Sequence, residues 1–307
     1  MAETKFTRSM GWRPDFPDFR DYTPDHDDVT PKAKSRGDKV TIKEMLTKIG
    51  IEGKSAKAKL PDKKDLRPWC SPIEDQEDLG SCTANAGVAL VEYFERRSFG
   101  IHIDASRLFL YKVTRNLMKE KGDTGAYLRS TMGALTLFGV PPEEYWPYNV
   151  KDFDIEPSAF CYGFAQNYQA IKYYRLDPQG TSADVLLTRI KTNLAAGLPS
   201  MFGFTVYSSI SQADGNGGLI PYPTKGEKVE GGHAVAAVGY NDSIKIKNSN
   251  KNGIETTGAL LIRNSWGTGW GDAGYGWLPY DYVRNGLAED WWSIIKNEWV
   301  DTGVFKV

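Results

Sequence analysis

The sequence has 307 residues, 40% of them hydrophobic and 25% charged, with a net charge of −1 at pH 7. That balance excludes a wholly disordered chain, and without a basic surplus the chain does not read as a nucleic-acid binder; 31 Gly with 16 Pro exclude a collagen-like repeat. Three cysteines, Cys70, Cys82 and Cys161, are too few and too scattered for a disulfide scaffold, and the odd count leaves at least one thiol free or paired between molecules.

The N-terminus, MAETKFTRSMGWRPDF, has no apolar run of signal-peptide length. No stretch approaches the roughly 20 apolar residues of a membrane span. The expected location is the cytoplasm, with export by a route lacking a cleaved signal left open, and no membrane partner is expected. Residues 1–64 carry 15 Lys and Arg against 11 Asp and Glu, a net of +4, and the remainder carries −5. Trp12, Phe16, Phe19 and Tyr22 stand among prolines and acids. They read as an extended segment with aromatic anchors able to dock onto a groove, the alternative being a ragged tail. From Thr23 to Lys64 there is no aromatic residue. Within that stretch, Thr41–Gly50 predicts a short amphipathic helix stopped by Gly50. The Lys-rich run Lys54–Lys64 reads as an exposed cleavage region or a solvated linker.

The body starts near Leu60. Ser81–Gly100 predicts a helix, with Gly87, Leu90, Val91 and Phe94 on one face and Gly100 as the stop. Leu128–Phe138 predicts a second, with Met132 and Leu135 inward, and Ser182–Ala196 a third, with Leu186, Ile190 and Leu194 at helical spacing. The alternation of Phe202, Phe204 and Val206 then signals a strand, as do His233–Tyr240, Ala259–Ile262 and Tyr275–Leu278. Ser208–Gly232 reads as a surface loop leading to His233, and Asp242–Thr257 as an exposed hairpin or insertion. Helices before strands imply an α+β fold with two lobes.

Cys82 sits where a polar turn becomes a helix. Unpaired N–H groups and partial positive charge at a helix N-terminus stabilise a thiolate; the plainer reading is a buried small hydrophobe. A thiolate nucleophile needs an imidazole partner. His26 lies in the core-poor N-terminal segment and His102 in a polar stretch, which leaves His233, after Gly231-Gly232 at the opening of a strand. Asn264, at the end of a strand in Arg263-Asn264-Ser265-Trp266-Gly267, offers an amide oxygen to orient the imidazole, and Trp266 can shield that contact from water.

Gln76 six residues before Cys82, then Gly80-Ser81-Cys82, then Gly231-Gly232-His233-Ala234-Val235, then Arg263-Asn264-Ser265-Trp266-Gly267-Thr268-Gly269-Trp270-Gly271, resemble the papain-like cysteine peptidases in order and local context. His233 lies 151 residues after Cys82 and Asn264 182 after it; the insertion Asp242–Thr257, between His233 and Asn264, accounts for much of the longer reach to Asn264. The resemblance spans about residues 60–290. It implies a papain-like two-lobed α+β fold, a helical lobe over roughly 75–180 and a sheet lobe over roughly 181–307, with the cleft between them. It implies Cys82 as nucleophile, His233 as ion-pair partner and general acid, Asn264 as the group orienting the imidazole, and Gln76 with the Cys82 backbone N–H as oxyanion donors. Asp123-Thr124-Gly125-Ala126-Tyr127 resembles the cleft wall that pairs with an extended substrate. Gly125, Ala126, Gly232 and Trp266 are therefore the expected substrate-binding residues.

Two departures stand out. Thr83 follows the nucleophile where the family usually has an aromatic, and Leu79 replaces a cysteine that usually forms a disulfide. Both resemble the bacterial and archaeal branch of the family, as does the opening Met10-Gly11-Trp12-Arg13-Pro14-Asp15-Phe16. By that resemblance, residues 1–60 form a prosegment that can lie over the cleft as a built-in inhibitor, and 61–307 the peptidase domain. The expected activity is a cysteine endopeptidase made as a zymogen, monomeric, acting on peptides or proteins without a metal or other cofactor. A peptide ligase or amidase with the same triad and a non-catalytic peptide-binding module are the alternatives.

Overall fold

A computed structural model describes residues 8–27, 40–51, 59–168 and 172–307. In chain order its elements are α1 (Ile42–Ile49), β1 (Lys63–Asp65), α2 (Cys82–Phe99), α3 (Arg107–Met118), α4 (Leu128–Leu137), α5 (Ala159–Ala165), β2 (Lys172–Arg175), α6 (Ala183–Ala196), β3 (Ser200–Tyr207), β4 (Val229–Lys247), β5 (Glu255–Arg263), β6 (Tyr275–Pro279), α7 (Tyr280–Arg284), β7 (Ala288–Ile295) and α8 (Asn297–Asp301). The strands form one antiparallel sheet in the order β2-β7-β3-β4-β5-β6, with β1 also paired to β4. Helices on one side of the cleft and sheet on the other give the two-lobed α+β architecture that the sequence predicts.

The predicted helices form with their expected ends. Thr41 and Glu44 make a reciprocal capping box at the start of α1, and Gly50, at φ +92°, closes it. Ser182 caps α6, and the left-handed Gly197 ends it. In α2, burial extends around the helix from Cys82 to Glu95, well beyond the predicted face. This helix is the central post of its lobe and packs against α3, α4 and β4. A Cβ on Gly87 would come within 3.1 Å of the Leu110 and Thr131 side chains, so glycine sets how closely those helices approach.

Several elements escaped the sequence pattern. The apolar stripe of α3 is broken by Arg107, Lys112 and Arg115, all buried. They are tolerated because they are paired: Arg107 with Glu74 and Glu143, each at 3.0 Å, and Arg115 with Asp154 at 2.8 Å. Strand β2 pairs with β7, so the sheet reaches back to residue 172, inside the span expected to be helical. Strand β4 begins at Val229, which puts Gly231 and Gly232 inside the strand, with His233 its fifth residue rather than its opening. The stretch from Ser208 to Gly232 is only partly a surface loop, since Ala213 and Ile220 are fully buried. The hairpin reading of Asp242–Thr257 holds: β4 and β5 pair to Lys247 and Glu255.

Residues 8–27 run across the body as an extended strap. Trp12 is only 7% exposed, and the half-buried Tyr22 packs on the core. Phe16 and Phe19, expected as anchors, are 88% and 96% exposed. The strap is held there by charge and backbone instead: Arg129 pairs with Asp15 and Asp21 and donates to the Phe16 carbonyl at 2.7 Å. Helix α1 docks near the C-terminus, where the Val307 N–H donates to the Ile49 carbonyl and Lys48 pairs with Asp301, and its Lys43 N–H donates to the His26 carbonyl at the end of the strap at 3.2 Å. Residues 54–58 of the Lys-rich run lie outside the described residues.

Candidate active site

Cys82 is the first residue of α2. Its preceding residue, Ser81, makes no side-chain cap, so the N–H groups of the first turn remain available. Those of Cys82 and Thr83 reach the thiol, as do the N–H groups of Ala234 on β4 and Gly11 on the strap. All four favour a thiolate. Burial outweighs them and pushes the thiol up to about 11.

His233 stands beside Ala234 on β4, fully buried. Its Nε2 lies 2.8 Å from the Asn264 Oδ1, and its Nδ1 has no hydrogen-bond partner among the described residues. With Asn264 an acceptor through Oδ1, Nε2 carries the proton and Nδ1 is the free lone pair. Trp266 stacks on the imidazole at 4.5 Å between ring centroids. The Asn264 Oδ1 also accepts from the Ser265 N–H at 2.8 Å, which fixes the amide. Burial pushes the His233 imidazole down to about 4, with the Asn264 hydrogen bond opposing. Thiol and imidazole are thus both neutral near pH 7 in this closed arrangement.

Gln76 connects the two lobes. Its N–H donates to the Ser265 carbonyl at 2.8 Å, its Oε1 accepts from the Ser265 hydroxyl at 2.7 Å, and its Nε2 donates to the Leu79 carbonyl at 2.8 Å. The same Nε2 donates to the Ser9 carbonyl of the strap at 3.2 Å. Asp75 and Trp266 bridge in the same place. The turn before Cys82 is held by Asp123, whose carboxylate accepts from the Gly80 N–H at 3.0 and 3.1 Å and from the Tyr111 hydroxyl at 2.5 Å. The Tyr111 oxygen in turn accepts from the Gly125 N–H at 3.1 Å. One hydrogen-bond chain therefore positions both the cysteine turn and the cleft wall at Gly125.

The strap pairs with both walls. The Ala126 N–H donates to the Gly11 carbonyl at 2.8 Å, the Arg13 N–H donates to the Ala126 carbonyl at 3.0 Å, and the Trp12 N–H donates to the Gly232 carbonyl at 3.1 Å. The wall residue that pairs is Ala126. Gly125, at φ +67°, supplies the close approach, since a Cβ there would lie 2.2 Å from the Gly11 carbonyl oxygen. Upstream, Arg8 bonds Asp75 at 2.8 Å and the Trp266 carbonyl at 3.1 Å. All eight predicted site residues, Gln76, Cys82, Gly125, Ala126, Gly232, His233, Asn264 and Trp266, thus gather in one cleft beneath residues 8–13. The sequence reading passed over Tyr111 and the locking role of Ser265. Ser265 carried a signal, standing inside the Asn-Ser-Trp-Gly run; Tyr111 carried none.

His26 packs edge-on against Tyr22 and His102 is exposed, both away from the cleft. Cys70 and Cys161 are buried and, like Cys82, in no disulfide. Among the described residues no cluster of His, Cys, Asp or Glu has a metal-binding arrangement, and no helix is long and apolar enough to cross a membrane.

The sequence profile of the papain family cysteine proteases matches residues 60–295. An uncharacterized peptidase C1-like protein of Acanthamoeba polyphaga mimivirus is 35% identical over 231 residues, 72% of this chain and 68% of its own length. A cathepsin B-like protein of Giardia intestinalis is 30% identical over 225 residues, 70% of this chain and 68% of its own. Among solved structures, xylellain, a cysteine protease from Xylella fastidiosa, shares 34% identity and superposes with a TM-score of 0.71, covering 94% of this chain and 96% of its own.

Proposed function

This chain belongs to the papain family of cysteine proteases, hydrolases of peptide bonds, and from that premise we propose that it is a latent endopeptidase whose nucleophile is Cys82 and whose inhibitor is its own strap. The observation that carries the catalytic assignment is the His233–Asn264 hydrogen bond under Trp266, on the strand whose next residue, Ala234, reaches the Cys82 thiol. Only this imidazole is buried, oriented by an amide and left with a free ring nitrogen.

With the strap displaced, water enters and the burial that holds both groups neutral is lost. The thiol proton passes to His233 Nδ1, giving a thiolate at the N-terminus of α2 and an imidazolium held by Asn264. The sulfur adds to a peptide carbonyl carbon. The oxygen takes up the negative charge, which the Gln76 Nε2 and the Cys82 N–H stabilise. Collapse breaks the C–N bond, and His233 gives its proton to the leaving amine. His233 then takes a proton from water, hydroxide attacks the thioester, and the thiolate leaves with the acid product.

The strap has the opposite relation to this machinery. The Gly11 N–H reaches the sulfur, and the Gly11 carbonyl is committed to Ala126. The Ser9 carbonyl occupies the Gln76 donor. The strap therefore fills the cleft and occupies the groups that a substrate would use. Within residues 1–60 we assign inhibition to residues 8–27 and a structural role to α1, which stays with the peptidase body. Cys82→Ala is expected to abolish cleavage of peptides, with retained activity overturning the assignment. Product analysis with an added amine separates hydrolysis, which yields free acid, from ligation.

A further inference from the structure

The strap uses one side chain as a probe of the cleft. Trp12 follows the glycine that faces the thiol, and its ring enters a pocket between β3 and β4. A Cβ on Gly203 would lie 1.9 Å from the indole, and one on Gly232 2.8 Å from it, so two glycines on neighbouring strands make the space for a large flat ring. At the floor is Asp290 of β7, completely buried, whose Oδ2 accepts from the Trp12 Nε1 at 3.2 Å. A buried carboxylate aimed into an apolar slot is costly unless paired. Its other oxygen is paired: the Asp290 Oδ1 accepts from the Trp292 Nε1 at 2.7 Å and lies 3.2 Å from the Arg175 guanidinium. Arg175 also pairs with Asp177 at 2.9 Å, and Arg129 stands over the Trp292 ring. When the strap leaves, taking Asp15 and Asp21 with it, Arg175 and Arg129 stay behind with Asp290, Asp177 and Glu289.

From this we propose that the Trp12 pocket is the specificity pocket for substrate, that Asp290 is its specificity-determining residue, and that it selects a neutral aromatic side chain carrying an N–H donor, tryptophan, over phenylalanine, aliphatic residues and cations. The inference rests on the peptidase reading and deepens it. The shape follows from Gly203 and Gly232, which leave room for a bicyclic ring. The donor requirement follows from the Asp290 Oδ2, which a phenyl or aliphatic group would leave buried and unsatisfied. The rejection of cations follows from Arg175, whose guanidinium already lies against Asp290 at the floor and would repel a second cation there.

The test uses the full-length chain. In Trp12→Ala, where the strap has lost its side chain from the pocket, a panel of peptides differing at one position is compared by kcat/KM. Tryptophan is expected to exceed phenylalanine, leucine and arginine by about tenfold or more. Asp290→Ala in the same background, with folding checked by circular dichroism, is expected to reduce the tryptophan-to-phenylalanine ratio to near one, while phenylalanine peptides are cut at least as fast as before. Phenylalanine or arginine cut as fast as tryptophan, or a ratio indifferent to Asp290, overturns the pocket assignment and leaves the peptidase reading standing. If no peptide is cut while iodoacetamide labels Cys82, which shows the cleft to be open, the peptidase reading fails. The pocket is then decided by protection of Cys82 from iodoacetamide: tryptophan peptides protecting best supports it, and equal protection by all overturns it.

Discussion

Cys82 and His233 hold opposite shifts for one cause. Burial under the strap removes the water that would solvate either ion, so the thiol is pushed up to about 11 and the imidazole down to about 4. In the closed form the one proton of the pair sits on the thiol; in the open thiolate–imidazolium pair it sits on His233. The two forms therefore bind the same number of protons from mildly acidic to neutral pH, and closure does not depend on pH there. In alkali the open imidazolium loses its proton while the covered thiol, held up to about 11, keeps its own, so closure weakens as pH rises. Labelling of Cys82 in the native chain by a peptide electrophile is accordingly expected to change little between pH 5.5 and 7.5 and to rise toward pH 10. A rate that stays flat up to pH 10 would show that burial by the strap does not control the pair.

The strap is an element without secondary structure of its own, and its grip depends on fit. Gly11 is its tightest point. A Cβ there would lie 1.9 Å from the Gly80 carbonyl oxygen, a backbone atom in the turn that Asp123 holds in place. The neighbour cannot give way, so the strap must. Gly11→Ala is expected to raise Cys82 labelling and peptide cleavage by about tenfold or more, the equivalent of losing one or two strap hydrogen bonds. The melting temperature of the body should barely move. Unchanged latency in this variant would mean that residues 8–13 do not guard the site. Much of this element's behaviour was hidden in the sequence. Four aromatics suggested four anchors, but Phe16 and Phe19 face water while the anchoring passes to Arg129, Arg175, Asp21 and backbone groups. Those partners lie more than a hundred residues away, and no local pattern shows them.

At the scale of the molecule, the cleft-covering part of the N-terminal region and α1 are held by different parts of the body. Residues 8–13 bridge the lobes across the cleft, while α1 buries Ile42, Met45, Leu46 and Ile49 and meets the C-terminal segment. The tie between α1 and the strap is at the strap's other end, where the Lys43 N–H donates to the His26 carbonyl at 3.2 Å. Release of residues 8–13 therefore need not disturb α1. Leu46 is fully buried, and Leu46→Ala is expected to cost about 2–5 kcal/mol of stability. Its effect on latency should be small, measured as a lowered thermal midpoint with unchanged Cys82 labelling at a temperature where the protein is folded. A large gain in labelling with no loss of stability would instead make α1 part of the inhibitor.

The sequence by itself determined the family, the fold class and many of the elements. A lone cysteine at a turn-to-helix junction, a histidine after two glycines and an asparagine before Ser-Trp-Gly are local patterns, and capping residues such as Thr41, Ser182 and Gly197 fix helix ends within a few positions. These signals are legible because the forces behind them act over a few residues. The tertiary structure alone decided what the signals mean together. It placed β2 in the sheet beside β7, paired the buried arginines of α3 with distant acids, and put a carboxylate beneath Trp12. It also laid the strap over Cys82 and His233, where burial keeps both groups neutral. Those outcomes depend on desolvation and on partners distant in sequence, and they exist only once the two lobes and the strap have come together.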